Sequence, residues 1–113
     1  MNRSFSLRRG ADFQRVWDEG KSFLHPLVIL RVRANGMDAC RFGFVAGKKT
    51  GKATARNRAK RWLRESIRPR VPQIVPGWDL ILIARSGAAQ REFKEITSAV
   101  ESVLRRADLL RDS

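Results

Sequence analysis

With 113 residues, 42% of them hydrophobic, the chain can close one domain around one core, and no apolar run approaches the roughly 18 residues of a membrane span. Cys40 has no second cysteine and His25 is the only histidine, which excludes an internal disulfide and a zinc centre of the usual Cys/His spacing. The 24 Lys and Arg against 11 Asp and Glu give a net charge of +13, so the first partner to expect is a polyanion, nucleic acid ahead of a membrane surface or an acidic protein.

The opening MNRSFSLRRG lacks the apolar segment of a secretory signal, and the expectation is a cytoplasmic protein without a membrane partner. Residues 1–9 and 111–113 are expected to be flexible ends of a single domain spanning 1–113. Phe13, Val16 and Trp17 stand at i, i+3, i+4 and predict a short helix that stops at Gly20. A brief strand follows at Ser22–Leu24. In the run from Leu27 to Arg33, Val28, Leu30 and Val32 alternate with Ile29, Arg31 and Arg33, which predicts a strand with one wetter face. Asn35-Gly36 is a strong turn signal, and the alternating run from Arg41 to Gly47 beyond it predicts a hairpin there. From Ala53 to Arg68 the period becomes 3.6, with Ala55, Ala59, Trp62, Leu63, Ser66 and Ile67 on one side and basic residues on the other. Pro69 ends that helix. The apolar run Trp78–Ala84 reads as a buried central strand, and Glu92–Leu110 as a long closing helix. The order is α-β-β-β-α-β-α, an α+β domain with one sheet of about four strands. Trp62, Trp78, Phe42, Phe44 and Phe93 fall on apolar faces and are expected in the core. His25 reads as a loop residue and Cys40 as a small residue at a strand end.

The chemistry concentrates where a strand runs through Lys48-Lys49 into the second helix. There Arg56, Lys60 and Arg64 form one row, Arg61 and Arg68 a neighbouring row, and Arg58 flanks them. Such a face can follow a phosphate backbone. The bland alternative is a solvated surface, but like charges at i, i+4 cost about 0.2 to 0.5 kcal/mol per pair, and only Glu65 is there to offset them. The turn Gly47-Lys48-Lys49-Thr50-Gly51 lacks the order of a nucleotide-binding Gly-rich loop. The acidic residues are scattered, and with no paired histidines or activated nucleophile a self-sufficient nuclease is disfavoured.

Arg41-Phe42-Gly43 leading to Lys48-Lys49 and Gly51, then Arg56-Asn57-Arg58-x-Lys60-Arg61-x-x-Arg64-Glu65, resembles the protein subunit of bacterial ribonuclease P. The likeness extends to Asp12-Phe13-x-x-Val16-Trp17-x-x-Gly20 and to the late strand ending in Ala84-Arg85. The resemblance implies an unusual left-handed βαβ crossover, against the right-handed rule. It also implies a monomeric accessory subunit, in a 1:1 complex with the catalytic RNA, that helps remove the 5′ leader of precursor tRNA. Hydrolysis and its Mg²⁺ would then belong to the RNA, with no catalytic or metal-binding residue in the protein. Carried over by motif, Lys48, Lys49, Arg56, Asn57, Arg58, Lys60, Arg61, Arg64 and Arg68 face the catalytic RNA. Phe13 and Trp17 match the first-helix aromatics that border the leader cleft; Leu30 takes the sheet position there, and Arg31 or Arg33 on the neighbouring face is expected to compensate electrostatically for the missing tyrosine. Phe13 and Trp17 read equally well as ordinary core residues of an amphipathic helix. Asn57 is either a plain polar helix residue or one that orients an RNA phosphate or a hydrated metal. Two positions depart from the family pattern: Leu30 stands where some members have a cleft tyrosine, and Gly47 where a serine usually precedes the Lys-Lys pair. A structural ribosomal protein built on a similar βαβ layer is the rival reading.

Overall fold

A computed structural model of the chain describes residues 6–7 and 10–111. The order is α1 (Ala11–Glu19), β1 (Lys21–Leu24), β2 (Val28–Ala34), β3 (Arg41–Ala46), α2 (Ala53–Ile67), β4 (Trp78–Ala84) and α3 (Phe93–Arg106), as the alternation and the helical spacings predict. Short 3-10 turns lie at Lys48–Thr50, Arg68–Gln73 and Ala88–Gln90. The expectation of flexible ends falls mostly outside the described residues. Within them, Leu7 is buried and donates its N–H to the Phe42 carbonyl at 2.7 Å. Arg111 likewise donates its N–H to the Gln73 carbonyl at 2.7 Å.

The strands are ordered β1-β2-β4-β3, with β4 antiparallel to β2 and parallel to β3. This corrects the hairpin expected at Asn35-Gly36. The chain does turn there, with Gly36 at φ +70° and the Met37 N–H donating to Asn35 Oδ1 at 2.8 Å, but β4 separates the two flanking strands. The most continuously apolar strand is inserted between β2 and β3, where the α2 and α3 layer covers one of its faces and α1 part of the other. The hairpin forms one connection earlier, between β1 and β2, where the Leu27 N–H donates to His25 Nδ1 at 3.0 Å. β3, α2 and β4 together make a crossover unit, parallel neighbouring strands joined by a helix.

Register assigns the faces, since directly paired residues point to the same side. Val28, Leu30 and Val32 of β2, Phe42 and Ala46 of β3, and Leu80, Leu82 and Ala84 of β4 form one core with Ala59, Leu63 and Ile67 of α2 and Val100, Val103 and Leu104 of α3. On the reverse face Ile81 packs with Leu7, Phe13 and Val16 under α1. Helices therefore cover both sides of the sheet, but α1 covers only part of its side.

Two expectations about the core change. α3 ends at Arg106 rather than Leu110: Asp108 adopts φ +60° and Leu109 returns its N–H to the Leu104 carbonyl at 3.0 Å, closing the helix. Phe93 is 38% exposed instead of buried: it is the first residue of α3, ahead of the buried stripe that starts at Ile96. Phe44, Trp62 and Trp78 are half-buried at the margin, and Phe42 is buried as expected.

Candidate nucleic-acid interface

α2 buries Ala59, Leu63, Ser66 and Ile67 and turns the rest of its circumference outward. The Ser66 hydroxyl donates to the Trp62 carbonyl at 2.7 Å, so this buried polar group needs no outside partner. Thr54, Asn57, Arg58, Lys60, Arg61 and Arg64 line one open depression of about 620 Å³ on the outer side. Among the described residues, none of Lys48, Lys49, Arg56, Arg58, Lys60, Arg61, Arg64 or Arg68 pairs with a carboxylate. Such a face is electrostatically incomplete without an anion. Its two flanks are held by ring stacking instead: the Arg58 guanidinium lies 5.8 Å from the Trp62 ring centroid and that of Arg64 lies 5.5 Å from Phe44.

The turn Lys48–Thr50 joins this helix to β3 and leaves both lysines exposed while Thr50 is buried. Gly51 has φ +135° and a Cβ there would stand 3.0 Å from that of Ala55, so the turn into α2 requires glycine. Gly47 is different: its φ is −82° and an added Cβ would meet nothing within 4 Å. The departure from serine at this position therefore alters no backbone requirement.

On the reverse face of the sheet the register stacks three rungs. Arg33, Asp79 and Arg41 form the first, Arg31, Ile81 and Gly43 the second, and Ile29, Ile83 and Val45 the third. The first rung is an ionic lock. Asp79, 3% exposed, accepts from Arg41 Nε at 2.9 Å and Nη2 at 2.7 Å and from Asn35 Nδ2 at 2.9 Å, while Arg41 Nη1 reaches Asp12 of α1 at 3.0 Å. These partners hold the Arg41 proton more firmly than usual.

The second rung receives α1. A Cβ on Gly43 would stand 3.2 Å from the Leu7 carbonyl oxygen and 3.2 Å from the Phe13 ring, so glycine lets the helix lie this close. Gly43→Val is expected to lower unfolding free energy by about 1 to 3 kcal/mol through overpacking, read from urea denaturation.

The third rung stays open. Ile29, Val45 and Ile83 floor a cleft of about 510 Å³ walled by Trp17, with Lys48, Lys49 and Arg85 at its mouth. Trp17 is 41% exposed and stacks on Phe13, with centroids 6.0 Å apart and planes inclined by 15°. Phe13 lines a smaller recess beside Trp17, Gln14 and Val45.

The sheet residues assigned to this cleft fare differently. Leu30 is fully buried on the opposite face, against the α2 and α3 layer, and cannot touch a ligand in the cleft; the β2 residue exposed there is its neighbour Ile29. Arg31 is on the cleft side, but its guanidinium donates to the Gly20 carbonyl at 2.7 Å and to Ser22, closing the C-terminal end of α1. Arg33 lies one rung further, 3.9 Å from Glu19. The cleft floor of Ile29, Val45 and Ile83 and the rim residue Arg85 are functional candidates that the motif reading omits. For Ile29 and Val45 the signal is an aliphatic residue on the wetter side of an alternating strand; Ile83, inside a continuous apolar run, and Arg85 carry no such signal.

An α+β sheet with helices on both faces, an unneutralised cationic helix on one side and an apolar cleft rimmed by lysines on the other, has the make-up expected of a polyanion-binding domain. Comparison with known proteins makes this specific. The chain belongs to the ribonuclease P protein family: the model described as Ribonuclease P matches residues 1–108. It is 40% identical over 114 residues to the ribonuclease P protein component of Roseiflexus sp., covering 100% of this chain and 93% of that one. It is 41% identical over 112 residues to that of Herpetosiphon aurantiacus, covering 99% and 91%. Among solved structures, the Staphylococcus aureus RNase P protein superposes with a TM-score of 0.86 at 30% identity over 95% of this chain and 98% of that one. The RNase P protein from Thermotoga maritima gives 0.80 at 35% identity over 89% and 96%. Family membership connects the chain to tRNA processing by an endoribonuclease complex with RNA partners, and decides against the ribosomal reading. No helix among the described residues is long and apolar enough to cross a membrane.

Proposed function

We infer that the chain is the protein subunit of ribonuclease P, docking the catalytic RNA on the outer face of α2 and holding the single-stranded 5′ leader of precursor tRNA in the cleft beside α1. The observation that carries this reading is the set of α2 cations without a carboxylate partner, joined through Lys48 and Lys49 to an apolar cleft on the other face of the sheet. A folded RNA supplies the phosphates that the helix lacks. A single strand, with its bases unstacked, suits an aliphatic floor walled by one exposed indole. The lysine turn lies between the two and bridges them electrostatically.

In this reading the protein is a monomer in a 1:1 cytoplasmic ribonucleoprotein, contributes no catalytic side chain, and leaves hydrolysis and Mg²⁺ to the RNA. Its work is to bring leader and catalytic RNA into one complex. The test is leader removal from precursor tRNA by the catalytic RNA at limiting Mg²⁺. The protein alone cuts nothing, and its addition lowers the Mg²⁺ required; equal cleavage with and without it would overturn the proposal. Trp17→Ala is expected to reduce the preference for leader-bearing over mature tRNA by about 5-fold or more, from the roughly 1 to 3 kcal/mol of one stacked base. Competition binding of the two tRNA forms to the assembled complex checks this.

A further inference from the structure

A second aromatic group borders α2 on the side away from the leader cleft. Trp62 is half-buried between α2 and α3 and carries the Arg58 guanidinium 5.8 Å from its centroid. The Phe93 ring meets it edge-to-face at 6.4 Å and 67°, leaving Phe93 38% exposed at the first residue of α3. The core does not need this exposure, since α3 is anchored by Ile96, Val100, Val103 and Leu104 further along. Arg58 belongs to the cationic depression of α2, so the aromatic pair is continuous with it. Resting on the assignment of α2 as the docking surface for catalytic RNA, we propose that the Phe93–Trp62–Arg58 cluster takes one unpaired nucleobase of that RNA, stacked against the exposed Phe93 ring.

Charge and size favour a base over a protein side chain. The nearby carboxylates are already engaged: Glu92 and Glu95 close the reciprocal cap of α3, Glu92 lies 3.5 Å from Lys94 and Glu95 lies 3.6 Å from Arg91. The free charge beside the rings is therefore cationic and suits the phosphate attached to a splayed base. A single exposed ring is a platform for one base, whereas a stable protein contact needs about 800 Å² per partner. The consequence is structural. The RNA element on α2 includes a bulged or looped nucleotide at this flank, since bases paired within a regular duplex leave no face free to stack.

The test separates stacking from charge, because a neutral aromatic contact releases no counterions. Binding of the ribonuclease P RNA to the full chain is measured across salt for the wild type, Phe93→Ala, Phe93→Tyr and Arg58→Ala. Phe93→Ala is expected to weaken binding about 10-fold at every salt concentration with an unchanged log–log slope, and Phe93→Tyr to bind as the wild type does. Arg58→Ala flattens the slope. In a Trp17→Phe, Trp78→Phe background, RNA is expected to quench the remaining Trp62 emission. Unchanged affinity for Phe93→Ala beside a flattened slope for Arg58→Ala overturns the stacking site and keeps the docking face; unchanged behaviour of both overturns the docking face itself. Loss of self-association in sedimentation by Phe93→Ala, with RNA affinity intact, would identify the patch as a protein contact and also overturn the proposal.

Discussion

Asp79→Ala is expected to lower the unfolding free energy by about 3 kcal/mol, a large share of the 5 to 15 kcal/mol typical of a folded domain. The carboxylate is 3% exposed and holds both Arg41 and Asn35, so its removal leaves the guanidinium short of two acceptors and the Asn35 amide with the Ala39 carbonyl alone. Breaking a buried pair by deleting one member costs about 3 to 5 kcal/mol, mostly for the charge left behind. The low end applies because the Arg41 side chain keeps 21% of its exposure and retains Asp12. Urea denaturation measures the loss, and a change below about 1 kcal/mol would show that the pair does not hold the sheet. Exchanging both members, Asp79→Leu with Arg41→Met, is expected to recover part of the loss, since no buried charge is left unpaired and Asp12, which loses Arg41, is 53% exposed to water. Because Arg41 also ties Asp12 of α1 to the sheet, Asp79→Ala in the still-folded protein is expected to weaken leader preference and leave the salt dependence of α2 unchanged.

The two sites also differ in how far the sequence alone reveals them. The exposed face of α2 was legible because a helix sorts its side chains by local spacing alone; once Ala59, Leu63 and Ile67 define the buried stripe, Arg58, Arg61 and Arg64 must lie outside it. Strand partners follow a different logic. Asn35-Gly36 announces a reversal of the chain, but whether the strands on either side pair depends on whether a more apolar strand is inserted between them, and β4 is. The misplacement of Leu30 is one of phase. A one-residue offset in a strand exchanges the faces, and the alternation that set Ile29, Arg31 and Arg33 apart already put Leu30 with the core. Phe93 sits on the correct helical stripe, but periodicity carries no information about where along the stripe burial begins, which is at Ile96. The Gly43 contact with Phe13 is a meeting of distant segments, and nothing local to either residue announces it.

The largest functional effect is expected from neutralising α2. Arg58→Ala, Arg61→Ala and Arg64→Ala combined remove three cations from one depression, and each contacted phosphate contributes about 0.7 to 0.9 to the dependence of log K on log salt. The slope for binding the catalytic RNA is therefore expected to fall by about 2 to 3 units. The wild-type and variant lines converge near 1 M salt, so at 0.1 M the variant binds roughly 100-fold more weakly, as filter binding or fluorescence anisotropy across a salt series would show. The fold is not expected to suffer comparably. Alanine favours the helix, and the like-charge rows Lys60–Arg64 and Arg64–Arg68 are relieved by about 0.2 to 0.5 kcal/mol per pair. Against this stand two lost ring contacts, Arg58 on Trp62 and Arg64 on Phe44, at about 0.5 to 1 kcal/mol each. The terms nearly cancel, so binding collapses while the melting temperature moves by only a few degrees. Under conditions that restore assembly, the ratio of leader-bearing to mature tRNA bound should stay at the wild-type value, because Trp17, Ile29, Val45 and Ile83 lie across the sheet and keep their places. An unchanged slope in the triple variant would mean that the phosphates lie elsewhere, and that the cations of α2 serve only solubility.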